Sequence, residues 1–114
     1  MEGARKKELR QGYRQRETTG GVYLIRNTTN NKVLVESAQD LQGALHRFAF
    51  GKQTGSCLHL KLQKDWTEQG AGVFDLEVLE EYKKGDTQTQ EEFQNDIKLL
   101  LELWRDRYVK EDTY

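Results

Sequence analysis

Two apolar runs near the start of the chain, separated by a polar turn, predict a β-hairpin. The runs are residues 21–26 (GVYLIR) and 32–37 (KVLVES), and the five residues between them are Asn and Thr only. Asn tolerates a positive φ, and both residue types bond to nearby backbone, so the chain can reverse there. Residues 22–25 are all apolar, which fits a strand that is covered on both faces. We therefore place this strand in the middle of a small sheet.

The spacing of apolar residues after the hairpin predicts a first helix. Ser37 followed by an acid three residues later, Asp40, matches a capping box and places the helix start at Ser37. Apolar residues then recur on one helical side, at Leu41, Ala44, Leu45 and Phe48. Residues 51–56 (GKQTGS) are polar and contain two glycines, so we predict a loop there.

A second helix is predicted between Ser56, as its cap, and Gly70. Residues 58–62 (LHLKL) alternate as a strand would, but the helical spacing of apolar residues continues to Trp66. The helix is the better interpretation because the apolar spacing stops at Gly70, and glycine commonly ends helices.

The remaining chain predicts a third strand and the longest helix. Residues 73–80 (VFDLEVLE) alternate between apolar and polar, as a half-buried strand does. Thr89 and Glu92 form a second capping-box pattern. Apolar residues follow at helical steps, namely Phe93, Ile97, Leu100, Leu101, Trp104 and Tyr108. We expect this helix to pack on the sheet, and residues 110–114 to form a frayed tail.

Composition limits the class of protein. The chain has 114 residues, of which 35% are hydrophobic and 32% charged, so we expect one domain with one compact core. No apolar run approaches the roughly 20 residues that cross a membrane. The start of the chain lacks the apolar stretch of a signal peptide, and a single cysteine, Cys57, cannot form an internal disulfide. A cytoplasmic protein without membrane contact is therefore expected.

Positive charge is concentrated in the first part of the chain. Residues 1–74 carry 12 Lys and Arg against 7 Asp and Glu, whereas residues 75–114 carry 6 against 12. We predict a basic helical arm over residues 1–19. Candidate binding residues for nucleic-acid phosphates are Arg10, Arg14, Lys52, Lys61 and Lys64. An ordinary solvated surface explains the same cations, so this pattern alone does not establish a site.

The order of elements and several short motifs resemble the GIY-YIG domain, a small endonuclease module. Residues 21–25 (GVYLI) look like its first motif, and residues 30–33 (NNKV) resemble the Asn-Gly-Lys-Val that often precedes its second motif. A further series of residues is similar to the pattern of many bacterial family members. It consists of Leu60, Asp65, Trp66, Gly70 and residues 74–79 (FDLEVL). We assign residues 20–109 to this domain. The resemblance implies an α+β fold with a three-stranded antiparallel sheet flanked by helices.

The resemblance also implies phosphodiester hydrolysis with one divalent metal, Mg or Mn. In the family a motif Tyr acts on the attacking water, an Arg neutralises the phosphate, and a Glu on the last helix holds the metal. Tyr23 matches the Tyr. The Arg position falls on Ala44, with Arg47 one turn later, and the Glu position falls on Leu101, with Glu102 beside it.

Most of the family's catalytic groups are therefore missing, and the second motif falls on residues 34–36 (LVE). We expect a degenerate GIY-YIG-like domain that has lost endonuclease activity, needs no cofactor, and binds DNA or another protein. The alternative is an active endonuclease in which Tyr23, Arg47 and Glu102 are catalytic and Glu102 binds Mg or Mn. Cys57 and His59 supply at most two ligands, too few for a structural zinc site. The protein is expected to be a monomer, or a homodimer formed through Phe50, Leu99 and Leu103.

Overall fold

A three-stranded antiparallel sheet forms the middle layer of the structure. The computed structural model describes residues 19–114. The strands are β1 (Thr19–Asn27), β2 (Val33–Ala38) and β3 (Phe74–Lys83), in the order β2-β1-β3. The helices are α1 (Leu41–Thr54), α2 (Gln63–Gln69) and α3 (Gln90–Arg107), with short 3₁₀ helices at Leu60–Leu62 and Ala71–Val73. The predicted α+β class and the central position of the first strand are confirmed. The predicted basic arm, with Arg10 and Arg14, precedes Thr19 and lies outside the described residues.

The central strand is covered on both faces, as its unbroken apolar run predicts. Tyr23 and Ile25 point to one face, which we call the Tyr23 face, and α1 and α2 pack there. The core of that face contains Leu34, Leu41, Ala44, Leu62, Trp66 and Phe74. Val22 and Leu24 point to the opposite face, which α3 covers. The partners there are Val33, Val35, Leu79, Leu100, Leu101, Trp104 and Tyr108. Helices on both sides thus bury a sheet of only three strands.

Two consecutive glycines at the start of β1 allow neighbouring elements to come close. A Cβ on Gly20 would lie 2.9 Å from side-chain atoms of both Phe93 and Ile97 on α3. A Cβ on Gly21 would collide with the carbonyl oxygen of Glu80, and the φ of Gly21 is +156°. One residue further along, β3 contains a bulge at Leu79, because the pairing register shifts by one residue between Val22 and Tyr23. The glycine that begins the first motif therefore has a structural role here.

Helix α1 begins and ends later than predicted. Ser37 is paired with Val22 in the sheet, so it cannot cap the helix. The N-cap is Asp40, whose carboxylate accepts from the Gly43 amide at 3.1 Å. The helix also continues through Gly51 to Thr54, into the predicted loop. A side chain on Gly51 would place its Cβ 2.5 Å from the Ser56 carbonyl oxygen, so glycine serves close packing there and does not break the helix.

The second helix is confirmed in type, but its predicted start is wrong. Ser56 caps no helix; helical structure begins at Leu60 and becomes α-helical at Gln63. Of the predicted apolar spacing, Leu62 and Trp66 are buried, whereas Leu58 precedes the helix and is 56% exposed, so only part of the spacing faces the core. Gly70 ends the helix with a φ of +89°, as predicted.

The start of α3 is confirmed in detail. The Glu92 amide donates to Thr89 Oγ1 at 3.1 Å, and the Thr89 amide donates to Glu92 Oε1 at 3.0 Å. This reciprocal pair is the capping box. Within residues 19–114, neither α3 nor any other helix is long and apolar enough to cross a membrane.

The end of the chain is docked on the sheet, so the predicted frayed tail is wrong. The Val33 amide donates to the Asp112 carbonyl at 2.9 Å, and the Tyr114 amide donates to the Val33 carbonyl at 3.0 Å. The Tyr114 hydroxyl donates to Asp65 at 2.6 Å and accepts from the Asn27 amide at 3.0 Å. These last residues are polar and show no periodicity, and their partners are distant in sequence. We refer to residues 112–114 as the C-terminal segment.

The apolar side chains that were considered for a homodimer interface are exposed but do not form one surface. Phe50 is 61% exposed on α1, and Leu99 and Leu103 are 56% and 54% exposed on α3. Because α1 and α3 pack on opposite faces of the sheet, Phe50 is separated from the two leucines.

Candidate functional site

A pair of polar aromatic residues, the buried Tyr23 and the half-buried His59, forms the centre of the candidate site. The Tyr23 hydroxyl oxygen lies 2.9 Å from His59 Nε2, and the two rings meet edge to face with centroids 6.1 Å apart. Tyr23 is only 6% exposed. The backbone of His59 is held because Cys57 Sγ donates to the His59 carbonyl at 3.2 Å. Sequence reasoning considered His59 only as a metal ligand and missed this contact, because 36 residues separate the partners.

Burial keeps both members of the pair uncharged near neutral pH. It raises the pKa of Tyr23 to about 12; the nearby charge of Glu36 adds to this increase and that of Arg47 opposes it. Burial also lowers the pKa of His59 below its ordinary 6.5, with Arg47 adding to the decrease and Glu36 opposing it. A neutral phenol can donate to Nε2 when the imidazole carries its proton on Nδ1.

The two pKa shifts oppose proton transfer within the pair. Burial raises the pKa of Tyr23 and lowers that of His59, so both shifts keep the proton on the Tyr23 hydroxyl. The pair is therefore a stable hydrogen bond in the resting protein and holds no tyrosinate.

Glu36 and Arg47 are the charged neighbours of this pair. Glu36 is the cross-strand partner of Tyr23, and its carboxylate accepts from Arg105 at 3.3 Å. Arg105 also donates twice to the Val35 carbonyl, at 3.2 and 3.3 Å. Arg47 lies one turn after Ala44 on α1, close enough to change the pKa of both Tyr23 and His59. Arg47 thus lies within electrostatic range of Tyr23, while Ala44 itself is buried in the core.

Glu102 is not part of this group. It is exposed on α3, and α3 packs on the face of the sheet opposite the Tyr23 side chain. The predicted set of Tyr23, Arg47 and Glu102 therefore does not converge on one surface. Leu34, at the position of the second motif's tyrosine, is 3% exposed and packs in the core of the Tyr23 face.

The residues around Tyr23 do not fit a divalent metal. Mg²⁺ and Mn²⁺ prefer carboxylate, carbonyl and water oxygens. The carboxylate of Glu36 is bound by Arg105, and the Nε2 atom of His59 faces the Tyr23 hydroxyl. Across residues 19–114, no group of three His, Cys, Asp or Glu side chains comes together in a way that could hold a metal ion.

The predicted binding lysines are divided between the two edges of the sheet. Lys52 pairs with Asp75 of β3 at 3.5 Å, and its ammonium lies 5.8 Å from the Phe48 ring centroid. Lys61 lies at the edge formed by β2, where it lines a cavity with residues 33–35. Lys64 is exposed on α2. Lys52 and Lys61 are thus associated with different outer strands of the sheet.

Comparison with known proteins identifies similar domains. No protein-family model matches the chain. A curated relative, intron-associated endonuclease 1 of Enterobacteria phage T4, is 39% identical over 61 residues, which cover 54% of this chain and 24% of that protein. The matched part thus spans about a quarter of the relative's length.

Solved structures match a larger part of the chain. The catalytic domain of homing endonuclease I-TevI matches with a TM-score of 0.60 and 29% identity, over 83% of this chain and 95% of that chain. A mutant of the catalytic domain of intron endonuclease I-TevI matches with a TM-score of 0.61 and 29% identity, over 84% and 91%. The sheet order, the first motif on the central strand and these similarities agree. The chain carries a GIY-YIG-like domain.

Proposed function

We propose that this domain binds nucleic acid and has lost the metal-dependent cleavage of GIY-YIG endonucleases. The observation that carries the proposal is the position of Glu102, on the face of the sheet opposite Tyr23. A hydrolytic site of the family's type needs a carboxylate-bound metal, a phosphate-neutralising cation and a tyrosine on one surface. Here the tyrosine and the candidate carboxylate are separated by the sheet.

The residues at the family's catalytic positions support the same conclusion. Ala44 stands at the position of the arginine, and Leu34 stands at that of the second tyrosine; both are buried in the core. Removal of one electrostatic group from a catalytic site typically costs about 10²–10³ in rate. Arg47 could replace part of the lost charge, whereas the carboxylate beside Tyr23, that of Glu36, is paired with Arg105.

Nucleic-acid binding is supported by cations on the elements around Tyr23 and by the similar proteins, which are endonucleases. Arg47 on α1 and Lys64 on α2 are exposed, and Lys61 precedes α2 at the β2 edge. Cations of this kind bind phosphates and release counterions, so the affinity should fall as salt is raised.

The test combines a cleavage assay with a binding assay. Plasmid and branched DNA are incubated with Mg²⁺ or Mn²⁺, and the anisotropy of labelled oligonucleotides is measured over a salt series. We expect salt-dependent binding without cleavage. Arg47→Ala combined with Lys64→Ala should weaken binding, whereas Lys98→Ala, an exposed cation on α3, should not.

The active endonuclease with shifted residues remains the second candidate, favoured by the proximity of Arg47 to Tyr23. Metal-dependent cleavage that both Tyr23→Phe and Glu102→Ala abolish would establish it and disprove the loss of activity. The cytoplasmic location and the state as a monomer or homodimer stay predictions.

A further inference from the structure

A cavity of about 300 Å³ opens along the outer edge of β2. One wall is the β2 chain at residues 33–35, and the others come from the end of α3, the 3₁₀ helix at Leu60–Leu62 and the C-terminal segment. The side chains that matter for recognition are Lys61, Arg105, Tyr108 and Tyr114. We call this the edge cavity. Its volume is at the lower end of the range of about 300–1,000 Å³ for ligand sites, which suits a single small unit.

The charge of the edge cavity differs from that of the chain. The net charge of the whole sequence is −1. The residues that line the cavity, all of them among the described ones, include two cations, Lys61 and Arg105, and no carboxylate. Two carboxylates contact the lining from outside it: Glu36 accepts from Arg105 at 3.3 Å, and Asp65 accepts from the Tyr114 hydroxyl at 2.6 Å. The cavity is therefore suited to an anion that shares Arg105 with Glu36.

The aromatic lining of the edge cavity is fixed in position. The Tyr108 ring stacks on Trp104, with centroids 6.5 Å apart and an angle of 28° between the planes. Tyr114 is held through its hydroxyl by Asp65 and Asn27. Rigid aromatic rings beside cations are the combination with which proteins bind single-stranded nucleic acid, because the rings accept a base and the cations accept its phosphate.

We propose that the edge cavity binds one unpaired nucleotide of a single-stranded nucleic acid. Lys61 and Arg105 contact the phosphate, and the rings of Tyr108 and Tyr114 contact the base. This inference rests on the proposed function, and it specifies where the nucleic acid binds and in which form. A paired base is stacked within its duplex and would have to be extruded to enter, so single strands are preferred.

The position of the edge cavity also connects it to the Tyr23–His59 pair. Arg105 lines the cavity and binds Glu36, which is paired with Tyr23 across the strands. Lys61 lies two residues after His59. A strand whose nucleotide occupies the cavity would therefore continue across the β2 edge toward Tyr23 and Arg47.

The inference can be tested by nuclear magnetic resonance with a defined probe. The ¹⁵N-labelled protein is titrated with a 5′-phosphorylated thymidine trinucleotide and, separately, with a duplex of matched composition. We expect amide shifts at Val35, Lys61, Tyr108 and Tyr114 with the single strand. Lys61→Ala should weaken binding about fivefold. It should also reduce the slope of the logarithm of the binding constant against the logarithm of the salt concentration by about 0.7, as expected for one lost phosphate contact on a single strand. Lys98→Ala is the matched control and should leave both unchanged.

A second pair of variants separates stacking from charge. Tyr108→Phe keeps the ring and should bind as the original protein does, whereas Tyr108→Leu removes it and should weaken binding about tenfold. The spectrum of each variant shows whether the fold is intact. If both Tyr108 variants bind equally well, the base does not contact this ring and the inference fails.

The outcomes also distinguish this inference from the proposed function. If the amide shifts are confined to α1 around Arg47 and the cavity amides are unaffected, the edge cavity is not the binding site, but the domain still binds nucleic acid. Equal binding of the duplex in the cavity would overturn the preference for an unpaired nucleotide. If neither probe shifts any amide, both proposals are wrong.

Discussion

At the scale of single residues, the contact between Tyr23 and His59 determines what this site can do. The sequence identifies Tyr23 because it stands at the tyrosine of the first motif in an ordered set of motifs that resemble the GIY-YIG family. Nothing in the sequence identifies His59 as its partner: the histidine stands between two leucines in a segment whose pattern predicts a helix and indicates no contact with β1. The contact depends on how the loop between α1 and α2 folds over β1, and local patterns do not encode that path.

The burial of His59 makes the stability of the fold depend on pH. Its pKa is lowered in the folded state, so below about pH 6.5 the unfolded chain binds more protons than the folded one. The free energy of unfolding should therefore fall as the pH drops through 6.5. His59→Gln should remove the contribution of His59 to this decrease in the free energy of unfolding. Urea denaturation between about pH 7.5 and pH 5.5 measures it.

The control for this experiment is His46→Gln. His46 is the other histidine of the chain and is exposed on α1, so the same substitution there tests whether the effect is specific to His59. An equally steep decrease in His59→Gln and in the original protein would show that another group is responsible.

At the scale of secondary-structure elements, strong periodicity was the reliable guide and single residues were not. The unbroken apolar run predicts β1, and the spacing from Phe93 to Tyr108 predicts α3. The start of α1 was misplaced because Ser37 has a cap's chemistry but is paired in β2. Gly51 was read as a break because the close approach of Ser56 cannot be seen in the sequence.

The glycine of the first motif is expected to be required for the fold itself. Gly21→Ala would push a methyl group into the Glu80 carbonyl and toward Leu41 Cδ1, at 2.8 Å. Overpacking and backbone strain of this kind cost about 1–3 kcal/mol, which we expect as a loss in the free energy of unfolding. Gly72→Ala is the matched control, because a Cβ there meets nothing within 4 Å. A similar loss in both variants would contradict the close-packing explanation.

The capping box at the start of α3 gives a second prediction at this scale. Thr89→Ala removes the side chain that accepts from the Glu92 amide, and the expected loss is about 1 kcal/mol in the free energy of unfolding. Thr87→Ala, in the exposed turn before it, should change stability by less than about 0.5 kcal/mol. Chemical denaturation measures both. Equal values for the two variants would mean that the cap contributes little.

At the scale of the whole molecule, the C-terminal segment joins parts of the fold that are far apart in sequence. It adds a parallel bridge at Val33 to the outer edge of β2, and it places Tyr114 between Asn27 and Asp65. The Asn27 side chain is fully buried there, and its oxygen accepts from Thr29. The sequence predicted the sheet and its order of elements, but it could not predict this closure, which depends on the assembled edge.

The hydroxyl of Tyr114 should contribute measurably to stability. Tyr114→Phe removes the hydrogen bonds to Asp65 and Asn27 while keeping the ring, and the expected loss is about 1–2 kcal/mol in the free energy of unfolding. Tyr108→Phe is the matched control, because it removes a hydroxyl from a ring that stacks on Trp104 and keeps that stacking. If Tyr114→Phe loses no more stability than Tyr108→Phe, the hydrogen bonds of the Tyr114 hydroxyl in the folded protein are no more favourable than its hydrogen bonds to water in the unfolded chain.

The bridge between Val33 and Thr113 also has a consequence for the kinetics of folding. It closes a loop of about 80 residues, and contacts between such distant positions are entropically costly to form early. We therefore expect them to be absent from the folding transition state, so that their loss speeds unfolding and leaves refolding nearly unchanged. A variant without residues 112–114 would show this in the unfolding limb of a denaturant-dependent rate plot. The last residues would then determine how long the folded domain persists, but they would have little effect on how quickly it forms.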